Sequence, residues 1–474
     1  MNPKPGPGPL QSARQRQIAY LLAMVVILGV MVPFTNKLQA IKVEKDLGEA
    51  TIGQIDSGSF LYKLAQLAGM RGIVADVLWN KAQNLQKAQD WDRLKTTVDF
   101  ITNLQPHFLN VWSFQGWNLA YNVSVEWDAP DDKYTWIKEG IKFLQRGVQQ
   151  NPRSPDLTWD TAWTYYHKIG FSDEAIVLRR LFRDDDDVAF RSYPDPRYAE
   201  PIQADDNFLL GYGWFKEAIR KADDDNNQRI ATEFEAPVEY VDRVEKRKGR
   251  PGDLHFRSMP GHARIKYAAA LEKASIQGIP ASFGEKARAA WRLALDDWVE
   301  FGLHKFPMFR YEKEGRIVQI DDLTAPTRLK ALDDKGQFWT SRWGEQTHYP
   351  YWKSRCQAEM TEDGVHARRL FYEATKAFKR AEFPEAVAKY RDGLDIWEKL
   401  LANYPLYAAD DQNAHDTGLV VKRYLKALAN AGIDRPKTVP FEKLAKLVEF
   451  EENPDPFDEM EMRTVDYNKT AAMR

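Results

Sequence analysis

Ala287-x3-Trp291-Arg292-x2-Leu295-Asp296-x-Trp298 returns further along the chain as Ala386-x3-Tyr390-Arg391-x2-Leu394-Asp395-x-Trp397. Each run is followed by an aromatic–proline pair, Phe306-Pro307 and Tyr404-Pro405. A second match lies upstream of each. His262-Ala263-Arg264 leads to Tyr267 and Ala270, and His366-Ala367-Arg368 leads to Phe371 and Ala374. The spacing within each block predicts two helices, hence one helical hairpin per block. A lone hairpin cannot bury its apolar face, but stacked hairpins build a solenoid, an architecture that mostly binds other molecules. The expected fold class is mostly α: a helical-hairpin repeat (α-solenoid) with irregular insertions and one N-terminal transmembrane helix.

Composition narrows the function classes. The chain has 474 residues, with 67 basic against 69 acidic, so the basic face that nucleic acid requires is not supplied by bulk charge, and no nucleic-acid partner is expected. It is 43% hydrophobic, enough for a large core, and most of its 15 tryptophans sit at helical spacing, which reads as core. Cys356 is the single cysteine, so neither an intrachain disulfide nor a cysteine-based metal site can form.

Ile18 to Phe34 carries no charge, lies between Arg14 and Arg16 on one side and Lys37 on the other, and is just long enough to span roughly 30 Å of hydrocarbon. It reads as an uncleaved anchor in contact with membrane lipid. A cleaved signal peptide on an exported protein is the alternative, but its best cut, after Leu38-Gln39-Ala40, has a large residue where a small one is preferred. Lysines follow the span as well as precede it, so the positive-inside bias only weakly favours a cytoplasmic N-terminus and an extracytoplasmic main body.

The organisation follows from here. Residues 1–17 form a disordered basic tail, 18–34 the anchor and 35–58 a linker. Helical repeats fill 59–182, an irregular insertion with short helices fills 183–258, and a helical hairpin fills 259–307. A second insertion with a small β-hairpin near Phe309 to Ile320 covers 308–361. Residues 362–450 hold the last hairpin and following helices, and 451–474 an acidic, polar tail. Within the second insertion, Trp339, Trp343, Tyr349, Tyr351 and Trp352 read as an aromatic-rich loop that caps the repeat, touches membrane or stacks on sugars.

Several segments resemble the tetratricopeptide repeat, a helix-turn-helix unit with small residues where its helices cross. Trp112-x3-Gly116 matches the start of that family's first helix, and Gly140, Leu144, Gly147 and Pro152 match its second, with leucine in the aromatic place. Trp159, Tyr166 and Ala175 fall at the family spacing, although Trp163 stands where a small residue is expected. The fullest match is Ala374, Phe378, Phe383, Ala386, Tyr390 and Gly393, with the closing Pro405 about two turns late. Small residues let helix axes approach, and aromatics fill the gaps between hairpins. Gly116, Gly140, Gly147, Trp291, Trp298, Ala374, Ala386, Tyr390, Gly393 and Trp397 are thus the expected packing positions. The resemblance implies a concave, partner-binding face lined by the first helix of each pair. That places Ser113, Trp117, Tyr121, Asp160, Thr164, His167, Arg368 and Thr375 as candidate groove residues for a protein partner.

No catalytic constellation stands out. Gly211-Tyr212-Gly213 lacks a third glycine, no serine lies in a nucleophile elbow, and no histidines pair at zinc-ligand spacing. Asp223, Asp225 and Asn227 open like a calcium loop, but Gln228 and Phe234 break the pattern. His262 and His366 occupy equivalent places and read as residues that help start a helix. No catalytic residue, cofactor or metal site is therefore assigned. The expected function is a membrane-anchored scaffold that binds a protein partner, within an envelope assembly. The alternative is an envelope enzyme or glycan-binding module, in which acids and aromatics of 183–225 and 339–352 would converge on one cleft.

Overall fold

The computed structural model describes residues 71–223, 251–272, 282–307 and 317–447, together with Ala19, Tyr20, Leu22 and Val26. The rest of Ile18–Phe34, and both chain tails, lie outside the described residues. No helix among the described residues is long and apolar enough to cross a membrane. The fold is mostly α-helical. Two compact units divide it, one of Met1–Gly116 and Phe143–Pro152, the other of Trp117–Lys142 and Arg153–Arg474.

The first unit carries α1 (Arg71–Lys87), α2 (Trp91–Leu104) and most of α3 (Leu109–Trp117). Asp90 caps α2 by accepting from the Arg93 N–H, and the helix stops at Gln105, before Pro106. Gly116 permits close packing here: a Cβ at that position would lie 2.4 Å from Leu144 Cγ. Leu144, Gly140 and Gly147 are buried in α4 (Pro130–Gln150).

In the second unit, α5 (Pro155–Trp163) begins at Ser154, whose hydroxyl accepts from the Leu157 N–H, with Pro155 in the first turn. It runs into a π-helical turn, Thr164–Lys168. A second π-helical turn, Asn118–Val123, follows Trp117. Both wider turns come directly after a tryptophan, the first after Trp163, the residue that stands in a small-residue place of the repeat pattern. After α6 (Ala175–Asp184), two-residue strands β1 (Ser192–Tyr193) and β2 (Ile202–Gln203) pair antiparallel, Ser192 opposite Gln203. Next come α7 (Asn207–Asp223), α8 (Pro251–Leu271) and α9 (Glu285–Leu303).

The region 183–258, expected to be an irregular insertion with short helices, one of them Phe208 to Ala222, supplies in α7 a core helix. Phe208, Leu210, Trp214, Phe215 and Ala218 of α7 are buried, and α7 packs between α5 and α8. α8 also starts earlier than expected and carries Pro260 in its interior. The second small ladder pairs β3 (Phe306–Pro307) with β4 (Ile317–Val318). β3 lies just before the expected hairpin and β4 within it, and the turn falls outside the described residues.

The stretch expected to be an aromatic loop is instead helical. After α10 (Pro326–Ala331), α11 (Asp334–Thr347) and α12 (Tyr349–Glu359) meet at His348, whose φ of 51° breaks one helix from the next. Pro350 sits in the first turn of α12, where its missing N–H costs nothing. Trp343 and Tyr349 are buried with Trp291, Trp298 and Cys356 in one core cluster. This excludes both as membrane or sugar contacts.

The second hairpin is α13 (Glu362–Lys379) and α14 (Phe383–Asn403), followed by α15 (Pro405–Ala408), α16 (Asp411–Ala431) and α17 (Glu442–Leu447). Thr361 and Asp410 cap α13 and α16. The duplicated blocks thus correspond to two helix pairs, α8–α9 and α13–α14. Their matched aromatics, Trp291 with Tyr390 and Trp298 with Trp397, are buried, as are Ala374 and Ala386. Gly393 lets α14 close on α13: a Cβ there would lie 2.7 Å from Phe371 Cε1.

Candidate functional site

Within the second unit, α8, α9, α12, α13, α14 and α16 wall a cleft of about 730 Å3. Its sides are aromatic, with Phe171, Tyr351, Trp352, Tyr372, Trp397 and Tyr407. Its floor is ionic. Arg368 grips Glu272 through Nε and Nη2, at 2.6 and 2.8 Å, donates to the Glu359 carbonyl at 3.0 Å and pairs with the Glu359 carboxylate. The Tyr407 hydroxyl donates to Glu359 Oε1 at 2.5 Å. Arg355, one turn before Glu359 on α12, lies 5.7–5.9 Å from the rings of Trp291, Trp352 and Tyr407. Asp173, Asp410 and Asp416 also line the walls. Such a cleft can hold a ligand by ring contacts while its buried ion pairs fix the floor.

An aromatic ridge leads away from the rim. Phe171 lines the cleft and stacks on His167, ring centroids 5.9 Å apart. His167 Nδ1 lies 3.1 Å from the Tyr121 hydroxyl, and Tyr121 stacks on Trp117, which is 45% exposed. Lys168 places its amine 5.2 Å from the Tyr121 ring, and burial lowers its pKa. Burial, then Lys168, also lowers the pKa of His167, which keeps it in the neutral form suited to this stack.

The structure sorts the expected groove residues. Trp117, Tyr121 and His167 form one surface, with Asp160 half-buried beside it. Ser113 belongs to the first unit and is half-buried. Thr164 and Thr375 are corrections, because both are buried. Thr164 bonds back to the Asp160 carbonyl at 2.8 Å, and Thr375 meets the Tyr390 hydroxyl at 3.0 Å. A hydroxyl on a helix satisfies itself locally, so a polar letter at a groove position need not face a partner. Arg368 lines the cleft, yet it is buried and spent on two carboxylates.

The remaining chemistry resolves similarly. His262 lies within α8 rather than at its start, edge-on to Trp298 and Trp352. His366 is in the first turns of α13. Burial pushes the Cys356 thiol far above its ordinary range. Asp223 is paired with Arg257 at 2.6 Å, and the rest of the calcium-like stretch lies outside the described residues. Among the described residues, no group of three or more acids, histidines or cysteines could hold a metal ion.

The cleft takes Phe208 alone from 183–225, and His348, Tyr351 and Trp352 from 339–352, with Arg355 and Glu359 following in the same insertion. Asp185 and Asp187, in the acidic run Asp184–Asp187, are bound by Lys138 and Lys142 of α4, both at 2.8 Å. Arg355, Glu359, Glu272 and Tyr407 escaped the sequence reading. The four-residue spacing of Arg355 and Glu359 is the available signal, hidden because the run of aromatics before it reads as a loop.

Fold and cleft together define a mostly α-helical protein with an aromatic-walled, ion-floored cleft. No family model matches the chain, and no curated protein matches it.

Proposed function

We propose that this is a membrane-anchored, tetratricopeptide-like repeat scaffold that holds a segment of a protein partner in the cleft. One observation carries the reading: both duplicated hairpins contribute to the same cleft. Lys266, Ala269 and Ala270 of α8 and Trp291 of α9 line it together with Arg368, Phe371 and Tyr372 of α13 and Trp397 of α14. Side-chain pockets on a helical frame suit an extended or helical segment, with aromatic walls supplying most of the contact energy. The ridge from Phe171 to Trp117 would extend the contact. Ile18–Phe34 would tether the complex to the membrane, with the folded body on the extracytoplasmic side of an envelope. Dispersal of the acids of 183–225 away from the cleft supports binding over an enzyme built from the insertions.

A plug tests the reading. Ala270→Trp should fill the cleft without touching its ionic floor. Partner recovery after crosslinking in intact membranes should fall sharply, while helical content by circular dichroism stays the same. Unchanged recovery from a folded plugged protein would reject the cleft as the binding site.

A further inference from the structure

We infer that the basic end of the molecule formed by α16 and α17 is a docking surface for the chain's own acidic segment, residues 449–461. α16 carries Lys422, Arg423 and Lys426 within about one turn, the connection to α17 carries Arg435 and Lys437, and α17 carries Lys443 and Lys446. Lys426 and the last four of these are exposed. α17 packs along α16, with Ala445 buried in the same cluster as Val421, Tyr424 and Leu428, so the cations gather at one end. From Lys422 to Lys446 only Asp434 and Glu442 oppose these seven cations. Glu442 already serves both Arg435, at 2.7 Å, and Lys446, at 3.5 Å.

Charge and reach select the occupant. Directly after α17, residues 449–461 hold seven carboxylates and no cation. A surface with a surplus of one sign repels itself and attracts a neighbour of the other. A segment of that length can span up to roughly 45 Å, whereas Lys422 lies only about 14 Å along α16 from Ala431. A ligand on a short tether acts at an effective concentration on the order of millimolar. The chain's own acids therefore engage this surface ahead of an anionic lipid or the same segment of a second copy. Exposed pairs are individually weak and screened by salt, so the contact should loosen as ionic strength rises. The inference is independent of what the cleft binds.

The test mixes equal amounts of unlabelled and 15N-labelled full chain in a neutral detergent. A zero-length carbodiimide joins amines to nearby carboxylates, and mass spectrometry reads the joined peptides. Lys422 or Lys426 should join to Asp455, Asp458, Glu459 or Glu461 in peptides of a single isotope. The yield should fall roughly tenfold in about 1 M salt, where the screening length is about 3 Å. Mixed-isotope peptides would give the surface to a second copy, and absence of these links would place the acids elsewhere. Links that vanish when phosphatidylserine is added to the micelles would give the surface to lipid. Each of these three results overturns the inference. A second measurement adds a labelled peptide of residues 448–462. It should bind roughly tenfold tighter to a chain carrying Glu451→Gln, Glu452→Gln, Asp455→Asn, Asp458→Asn and Glu459→Gln than to the wild type, whose surface is already covered. Equal binding to both chains would also overturn it.

Discussion

Arg368 and Glu272 meet in a two-point ion pair that joins α13 to the end of α8. The equivalent arginine of the other block, Arg264, turns instead to Asp297, 3.3 Å away on α9 of its own hairpin. The duplication thus kept the arginine and changed its carboxylate. One copy locks a hairpin internally, and the other locks one hairpin to the next beneath the cleft. Removing Arg368 strands two buried carboxylates, Glu272 and Glu359. Arg368→Met should cost about 3–5 kcal/mol in urea unfolding, and adding Glu272→Gln should recover part of that loss. A double variant whose cost equals the sum of the Arg368→Met and Glu272→Gln costs would show that the two residues are not coupled.

Gly393 gives a second stability test. Phe371 leaves no room for a Cβ at that position, so Gly393→Leu should overpack the α13–α14 crossing and cost about 1–3 kcal/mol. A melting temperature equal to the wild type would mean that the crossing opens without penalty.

The helix pairs were legible because their evidence is periodic. Trp291 and Trp298, or Tyr390 and Trp397, repeat at two helical turns, and burial followed. Residues 339–352 read as a loop because of their density of aromatics. In fact, Trp339 and Trp343 lie one turn apart on α11, and the break falls at His348. The cleft floor was illegible for a different reason. Glu272 just past α8, Glu359 on α12 and Arg368 on α13 are far apart in sequence, and no local pattern reveals that two carboxylates will meet one guanidinium. Thr164 and Thr375 were expected to face a groove, but each hydroxyl finds an internal partner.

His262 should make stability fall in acid. Burial, with smaller contributions from His255, Lys266 and His348, lowers its pKa from 6.5 to about 3. The folded imidazole therefore stays neutral where the unfolded one takes up a proton. Its contribution is full above 6.5 and shrinks as pH falls from there towards about 3. His262→Phe should flatten the pH dependence of the urea midpoint across this window. Parallel curves for both proteins would assign the acid sensitivity elsewhere.

Asp321 should act in a lower window. Burial would raise its pKa, but hydrogen bonds from Lys353, Tyr349 and Arg328, at 2.5, 2.6 and 2.6 Å, outweigh burial and hold it at about 2. A depressed carboxylate stabilises the fold above its ordinary 3.8, and that contribution is lost as pH falls through about 2. Asp321→Asn should destabilise the protein at neutral pH and remove this loss in strong acid. A variant as stable as wild type at neutral pH would show that the three donors find other acceptors.

Site-specific photocrosslinking tests the central claim most directly. Benzoylphenylalanine would replace Tyr372 inside the cleft and, as a control, the exposed Phe338 outside it. Irradiation of membranes holding the full-length protein should give one discrete protein adduct from position 372 and none from 338. Adducts of equal yield from both positions, or none from the cleft, would contradict a scaffold that holds its partner there.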